Sequence, residues 1–436
     1  MLELWHGFSA TAQDVVTLCA LALPIAALGV VLPRGFAPIP LIRAILWRFR
    51  WANALFVLLI AVSVGLGVAL LAQERGLRAG TAAAADKFDL IIAAPGSEVT
   101  MMLASVYLQP ADAGLLDGVT YASIATDARV AMAAPLAFGD SYQGAPIVGT
   151  TAEFVTHLAG PIAQGRIWGD HADAVIGADV PLAVGDGFEP AHGVGDVAEH
   201  DAHGEEFHVV GRLAPTGSPW DRAIIVPVET VWETHGLANG HRPEVAEQLG
   251  PPFDPEYFPG TPAVVVRATS IGATYGLKSS FARAGETMAF FPGSVLASLY
   301  AVMGDVRQAM SLMAVVTQIL VAASVLLGLF ILSQLFQRQM ALLQALGAPR
   351  RFVLSVVWGY ANTLVVAGAM LGLIIGFASV AILSDIVSER TGVRVVAEIG
   401  WSEFHLVAGF VSCVSLLSVV PGFAVLSRSI VSGLRA

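Results

Sequence analysis

Charge is scarce in this sequence. Asp, Glu, Lys and Arg make up 13% of its 436 residues, against about 25% in an ordinary soluble domain. Hydrophobic residues make up 56%. That pairing excludes a soluble enzyme, a disordered chain and a fibrous one. Lysine is nearly missing, with Lys87 and Lys278 alone, and the net charge is −11. Both facts argue against nucleic acid as a partner. Cysteine is limited to Cys19 and Cys413, both inside apolar runs, so a soluble block between them holds no disulfide. No G-x-x-x-x-G-K-[ST] occurs. The nearest stretch, from Gly272 through Gly276 to Lys278, has three residues between its glycines, and Lys278 does not adjoin Gly276. The chain therefore has no phosphate cradle for ATP. G-x-S-x-G and H-E-x-x-H are missing too. The expectation is a chain that is not an enzyme and binds no cofactor by these motifs.

What is present is clustered by position. Residues 15–33, 51–73, 308–337, 352–384 and 404–427 contain no charge, and about 20 residues of helix cross a bilayer. Five transmembrane helices are expected. Residues 74–306 form one soluble block with 28 acidic and 11 basic residues. The stretches 34–50, 338–351 and 428–436 hold nine arginines and no acid. Short basic loops stay cytoplasmic, so the block and the 385–403 loop are placed outside. The localisation expected is a membrane crossed several times, with the large domain on the side away from the cytoplasm. The first apolar run has no preceding Lys or Arg, so it is kept as a helix rather than a signal peptide.

Residues 39–50 read as an amphipathic helix lying in the inner membrane face, with Trp47 and Trp51 at headgroup level. The alternative is a short irregular basic loop. In the soluble block, 88–95, 145–151, 173–180, 207–213, 223–228 and 263–268 are short, rich in β-branched residues and bounded by Gly, Pro or Asp. They are expected strands. Residues 227–236 and 270–285 are expected helices, giving an α+β domain. Residues 293–313 carry a helical apolar stripe and read as a stalk into the third span. The expected division is 1–36 (an additional helix), 37–73 (the in-plane helix and second span), 74–292 (the α+β domain) and 293–436 (the stalk and three spans).

The spans hold few polar groups, among them Thr317, Gln318, Ser324, Asn362 and Thr363. The missing intramembrane charges speak against an ion-coupled transporter. Gly368, Gly372 and Gly376 are spaced by four, a surface that lets another helix approach closely. That helix belongs either to this chain or to a second copy. The run EHDAHGEEFH places His200, His203 and His208 among carboxylates, and these residue types suit zinc. The run also bears glycine and lacks Cys, which favours a solvated acidic loop instead. His157, His171, His192, His235 and His241 are expected on the surface, and His405 at the membrane interface.

The 338–352 loop reads as a short helix, a turn and a basic patch. Met340, Leu342, Leu343 and Leu346 form its apolar side, Gly347 ends the helix, Pro349 cannot continue it, and Arg350 and Arg351 follow. Such a piece fits a groove on a cytoplasmic partner, or it is only a basic topological anchor. The stretch Ala341-Leu342-Leu343-x-Ala345-Leu346-Gly347-Ala348-x-Arg350-Arg351 resembles the coupling loop of FtsX-like (MacB/LolE-type, type VII) permease subunits of bacterial ABC transporters. Gln339 and Gln344 stand where the family often has Glu and Arg. Segments 88–111, 142–154, 209–232 and 297–311 are similar to further parts of that family, in the same order. The resemblance implies a permease subunit without ATPase activity. Met340, Leu343, Leu346, Gly347, Ala348, Arg350 and Arg351 would dock a separate ATPase that binds ATP. Two copies of the chain are expected, in contact with membrane lipid and with a periplasmic or outer-membrane partner open. The alternative is an FtsX-like signalling scaffold. Residues 1–33 add a helix to the four-helix pattern of the family.

Overall fold

The computed structural model describes residues 8–192, 206–283, 285–302, 319–328 and 337–420, with 312, 316, 330, 331 and 423. It divides into two compact units. One comprises Met1–Gly76, Asp305–Asp385 and Ala397–Ala436, and the other Leu77–Gly304 and Ile386–Val396.

The chain starts with three helices: α1 (Ala10–Val31), α2 (Ile39–Arg48) and α3 (Arg50–Ala85). Ser9 caps α1 by accepting the Ala12 N–H at 3.3 Å. The in-plane segment is helical. Ile45 is buried, Leu41, Ile42, Leu46 and Phe49 are half-buried, and Ile39, Arg43 and Trp47 are exposed. Phe49 leaves the helical region (φ −110°, ψ 30°) and separates α2 from α3. The Asn53 side chain donates to the Leu46 carbonyl at 2.9 Å across this elbow.

The second unit is built on one mixed sheet. In chain order its elements are β1 (Leu90–Ala93), α4 (Glu98–Tyr107), α5 (Gly118–Ala125), β2 (Val130–Tyr142), β3 (Ala145–Thr150) and α6 (Ala152–Ala159). Then come β4 (Gln164–Gly165), β5 (Asp173–Ile176), β6 (Gly187–Phe188), β7 (Ala191–His192), β8 (Phe207–Arg212), β9 (Ile224–Pro227) and α7 (Val228–Thr234). The last are β10 (Ala263–Ala268), α8 (Ile271–Phe281), β11 (Met288–Phe290) and α9 (Pro292–Val302). The strand order is β11-β1-β10-β2-β3-β9-β5-β8-β4, with β6 on β8 and β7 on β2. The β3–β9 and β5–β8 pairs are parallel, and the other pairs are antiparallel.

Alternate residues serve opposite faces. Ile91 and Val265 join Phe154, Trp220 and Phe290 in one core. Leu90, Ile92, Val264 and Val266 join Ile124, Trp232 and Leu277 in the other. A sheet covered on both faces reads as continuous apolar runs, which is why these strands are legible in the sequence. The longest strand, β2, is not. Its residues VAMAAPLAFGDSY are poor in β-branched side chains and include Pro135, which normally argues against a central strand. Yet Pro135 sits opposite Val264, inside the sheet. Helices α4, α5 and α6 were likewise not expected. Each is short and capped by one side chain: Ser97, Asp117 and Thr151 accept from Thr100, Thr120 and Phe154 N–H groups.

The chain closes with an apolar helix at Ile319–Gly328 (α10), then α11 (Gln337–Ala345), α12 (Arg350–Thr391) and α13 (Trp401–Leu417). Among the described residues three helices are long and apolar enough to cross a bilayer: α1, α3 and α12. Five were expected. In the third run only α10 and single residues are described, and the fifth run reaches beyond the last continuous described stretch. The stalk is described as α9 up to Val302, and its remainder, 303–311, lies outside the described residues.

Candidate functional site

The 337–351 turn has a defined geometry. The N–H groups of Leu346, Gly347 and Ala348 donate to the Leu342, Gln344 and Leu343 carbonyls at 3.0, 3.0 and 2.9 Å. Gly347 takes φ +96°, a conformation that a Cβ would strain. The Pro349 carbonyl accepts the Phe352 N–H at 2.9 Å as α12 begins. The apolar set divides. Met340 is only 2% exposed and Leu343 is half-buried, whereas Leu342 is 55% and Leu346 78% exposed. Arg350 is exposed, Ala348 half-buried, and the Arg351 guanidinium donates to the Val31 carbonyl at the end of α1. A cation there also meets the negative end of the α1 dipole. The exposed part of the turn thus includes Leu342, Leu346, Gly347, Arg350 and Arg351. Met340 holds the turn onto its own unit.

The additional N-terminal helix has a physical account. Ser412 on α13 donates to the Leu21 carbonyl, and the His405 ring donates to the Asp14 carbonyl at 2.9 Å. Asp14 meets His405 and Leu21 meets Ser412, so α1 and α13 run parallel. His405 is therefore half-buried between helices. Trp358 donates to the Ser415 carbonyl at 3.0 Å, and Ser415 donates to Asn362. Thr363 donates to the Gly359 carbonyl of its own helix at 2.8 Å. Thr317 and Gln318 lie outside the described residues.

The glycine ridge faces α3 of the same chain. A Cβ on Gly368 would lie 2.6 Å from Ile60 Cβ, on Gly372 2.7 Å from Val64 Cβ, and on Gly376 2.8 Å from Val68 Cγ1. Gly65 approaches the Gly372 carbonyl in return. Ile60, Val64 and Val68 rise with Gly368, Gly372 and Gly376, so α3 and α12 are also parallel. That is the relative direction expected from alternating basic loops. Further along, Gln73 donates to the Val380 carbonyl at 3.0 Å, and Arg75 pairs with the fully buried Glu403 at 3.1 Å.

The last turn of α12 and the residues after it belong to the α+β unit. Val393 is 2% exposed and shares a core with Ala84, Phe88 and Trp220. The Arg394 N–H donates to the Gly217 carbonyl at 2.9 Å. A Cβ on Gly80 would come within 2.6 Å of the Arg394 carbonyl oxygen. Buried Asp221 fixes the receiving loop: its carboxylate accepts the Thr216 and Gly217 N–H groups, both at 2.7 Å. None of Asp221, Gly217, Val393 or Arg394 was singled out in the sequence. The only signal was that 385–403 is a short loop placed on the same side as the large domain.

The histidines scatter. His200 and His203 lie outside the described residues. His208 is exposed on β8, opposite Asp173 and Gly187. Among the described residues no group of three or more His, Cys, Asp or Glu is arranged to hold a metal. His241 is not a surface residue. It is buried, with Nε2 3.4 Å from buried Glu229 of α7. His171 meets Glu233 at 2.9 Å, and His235 lies 3.7 Å from Asp140. Of the two acidic residues of α7, buried Glu229 meets the buried His241 ring and exposed Glu233 meets the half-buried His171 ring. His157 bonds the Lys87 carbonyl at 2.9 Å from an exposed site.

No family model matches the chain, and no curated protein matches it. Among solved structures, the periplasmic region of MacB from Actinobacillus actinomycetemcomitans is similar at 12% identity and a TM-score of 0.28. The match covers 48% of this chain and 92% of that one. A likeness at that level carries no functional argument.

Proposed function

We propose that this chain is the membrane subunit of an ABC-type transporter that transmits ATP-driven movement to its α+β domain. The observation that carries the reading is the course of α12. The helix begins at Arg350, directly after the turn that exposes Leu342 and Leu346, and continues unbroken to Thr391. Its end leads into Val393 and Arg394, which are built into the α+β unit. A push on the turn enters a helix with no proline between its first and last residues. The glycine ridge against α3 keeps that helix in register with a neighbour and so passes load to both. Binding and hydrolysis of ATP belong to a separate subunit, and two permease copies would present two docking turns.

The test is ATPase coupling. Leu346→Asp leaves the fold intact because the side chain is exposed, yet it places a charge in the docking surface. Co-expressed with a candidate ATPase subunit that the unaltered chain copurifies with, the variant is expected to lose copurification or stimulation of ATP turnover. Unchanged turnover would remove the docking role of the turn.

A further inference from the structure

Arg34, Arg43, Arg48, Arg50 and Arg350 form no ion pair with any carboxylate among the described residues. They share one end of the membrane unit. Ile42 abuts Gly359, the Phe36 and Phe352 rings are 5.9 Å apart, and Arg351 bonds Val31. Of the unit's described acidic residues, Asp14 lies beside His405 and Glu403 pairs with Arg75. Among the described residues no carboxylate balances these arginines.

The elbow between α2 and α3 shows what kind of anion fits. Trp47 is 73% and Trp51 78% exposed. The Arg50 guanidinium lies over both indoles, 5.6 Å from the Trp47 ring and 5.9 Å from the Trp51 ring. Exposed indoles belong at the headgroup level of a bilayer, and a guanidinium within about 6 Å of an indole is held there by cation–π attraction. Arg43, on the turn before Trp47, adds a second cation to the same exposed stripe, while Ile45 anchors the opposite side. The elbow itself is fixed from within: Asn53 holds the Leu46 carbonyl and receives the Tyr360 hydroxyl.

We infer that this elbow is a binding site for an anionic phospholipid of the adjoining leaflet, with Arg43 and Arg50 on the headgroup phosphate and Trp47 and Trp51 against glycerol and acyl carbons. The site is independent of nucleotide and of the docking turn.

The test uses the full chain reconstituted in phosphatidylcholine vesicles with traces of dansyl-phosphatidylglycerol or dansyl-phosphatidylcholine. Energy transfer from tryptophan to each dansyl lipid is measured without ATP or ATPase. The expected result is stronger transfer to the anionic probe, about fivefold in relative affinity for each arginine, since one arginine near an anionic surface contributes about a factor of five. Arg43→Gln with Arg50→Gln keeps every tryptophan donor and is expected to bring the two probes to equal transfer. Arg267→Gln with Arg283→Gln, exposed positions in the α+β unit, is expected to leave the ratio at its starting value. Equal transfer in the unmodified chain overturns the assignment. So does an unchanged ratio in the first double variant, which would place the preference on other arginines or on an acidic protein partner. An equal loss in the second double variant overturns it as well.

Discussion

The α+β unit fills its interior with Trp220, Phe154 and Phe290, whereas the membrane unit brings Gly368, Gly372 and Gly376 against Ile60, Val64 and Val68. The difference follows from the solvent. In water, burying a large ring releases much apolar surface, and that release drives folding. In lipid the chain tails are as apolar as leucine, so helices gain from close backbone approach and a few hydrogen bonds instead. Polar groups divide less cleanly, since the membrane unit also buries Glu403 against Arg75. Asp221, Glu229 and Asp140 are buried in the α+β unit beside hydrogen-bonding loops. The membrane unit buries Asn53, Asn362 and Ser415, which bond from helix to helix or across the elbow.

The largest blow to one side of this contrast is Trp220→Ala. It empties the centre of a core and is expected to lower the stability of the α+β unit by about 3–5 kcal/mol, read as a fall in its thermal midpoint. Gly372→Leu attacks the other side. It forces a side chain into Val64 and the Ala61 carbonyl and is expected to cost about 1–3 kcal/mol by overpacking, read as earlier thermal aggregation of the full chain. Gly272→Ala, on α8 with open space around its Cβ position, should be neutral or stabilising by about 0.4–1 kcal/mol. If Gly272→Ala destabilised as much as Gly372→Leu, close approach would not be what distinguishes the ridge.

Asn53→Ala removes both elbow hydrogen bonds, and membrane hydrogen bonds average about 0.6 kcal/mol. A small loss of thermal stability is expected, much below that of Trp220→Ala. The smallest effect lies on the α+β surface. Hydrogen bonds from the Arg129 side chain and backbone hold the Asp127 carboxyl at about 2, below its ordinary 3.8. A depressed carboxyl stabilises the fold above its unfolded value, and that contribution fades as pH falls from about 4 through about 2. The pair is half-buried at the surface and screened by solvent, so the effect is slight. Asp127→Asn should flatten this part of an acid titration of stability, and an identical titration curve would show the pair to be inert.

Much of the architecture was legible because apolar runs carry it. The six expected strands are strands, since both sheet faces are covered and their residues are β-branched. The strand β2 escaped because its position depends on neighbours β10 and β3 rather than on its own alanines and Pro135. In the docking turn, Gly347 and Pro349 marked the break correctly in position. Helical spacing placed Met340 and Leu346 on one apolar side, and burial separates them because the membrane unit covers only part of that side. His241 was read as a surface residue because its partner, Glu229, is 12 residues away in sequence.

By itself the sequence determined where the apolar spans lie, which loops are basic and that the acidic block is α+β. Those properties are local: a run of 20 apolar residues or a cluster of arginines acts through its own composition. Only the tertiary structure decided that the glycine ridge meets Ile60, Val64 and Val68, that α1 is tied to α13 and to Arg351, and that Val393 and Arg394 are built into the α+β unit. Those are meetings of residues far apart in the chain. They are set by which surfaces fit together at ångström distances, a quantity that no single stretch of sequence contains.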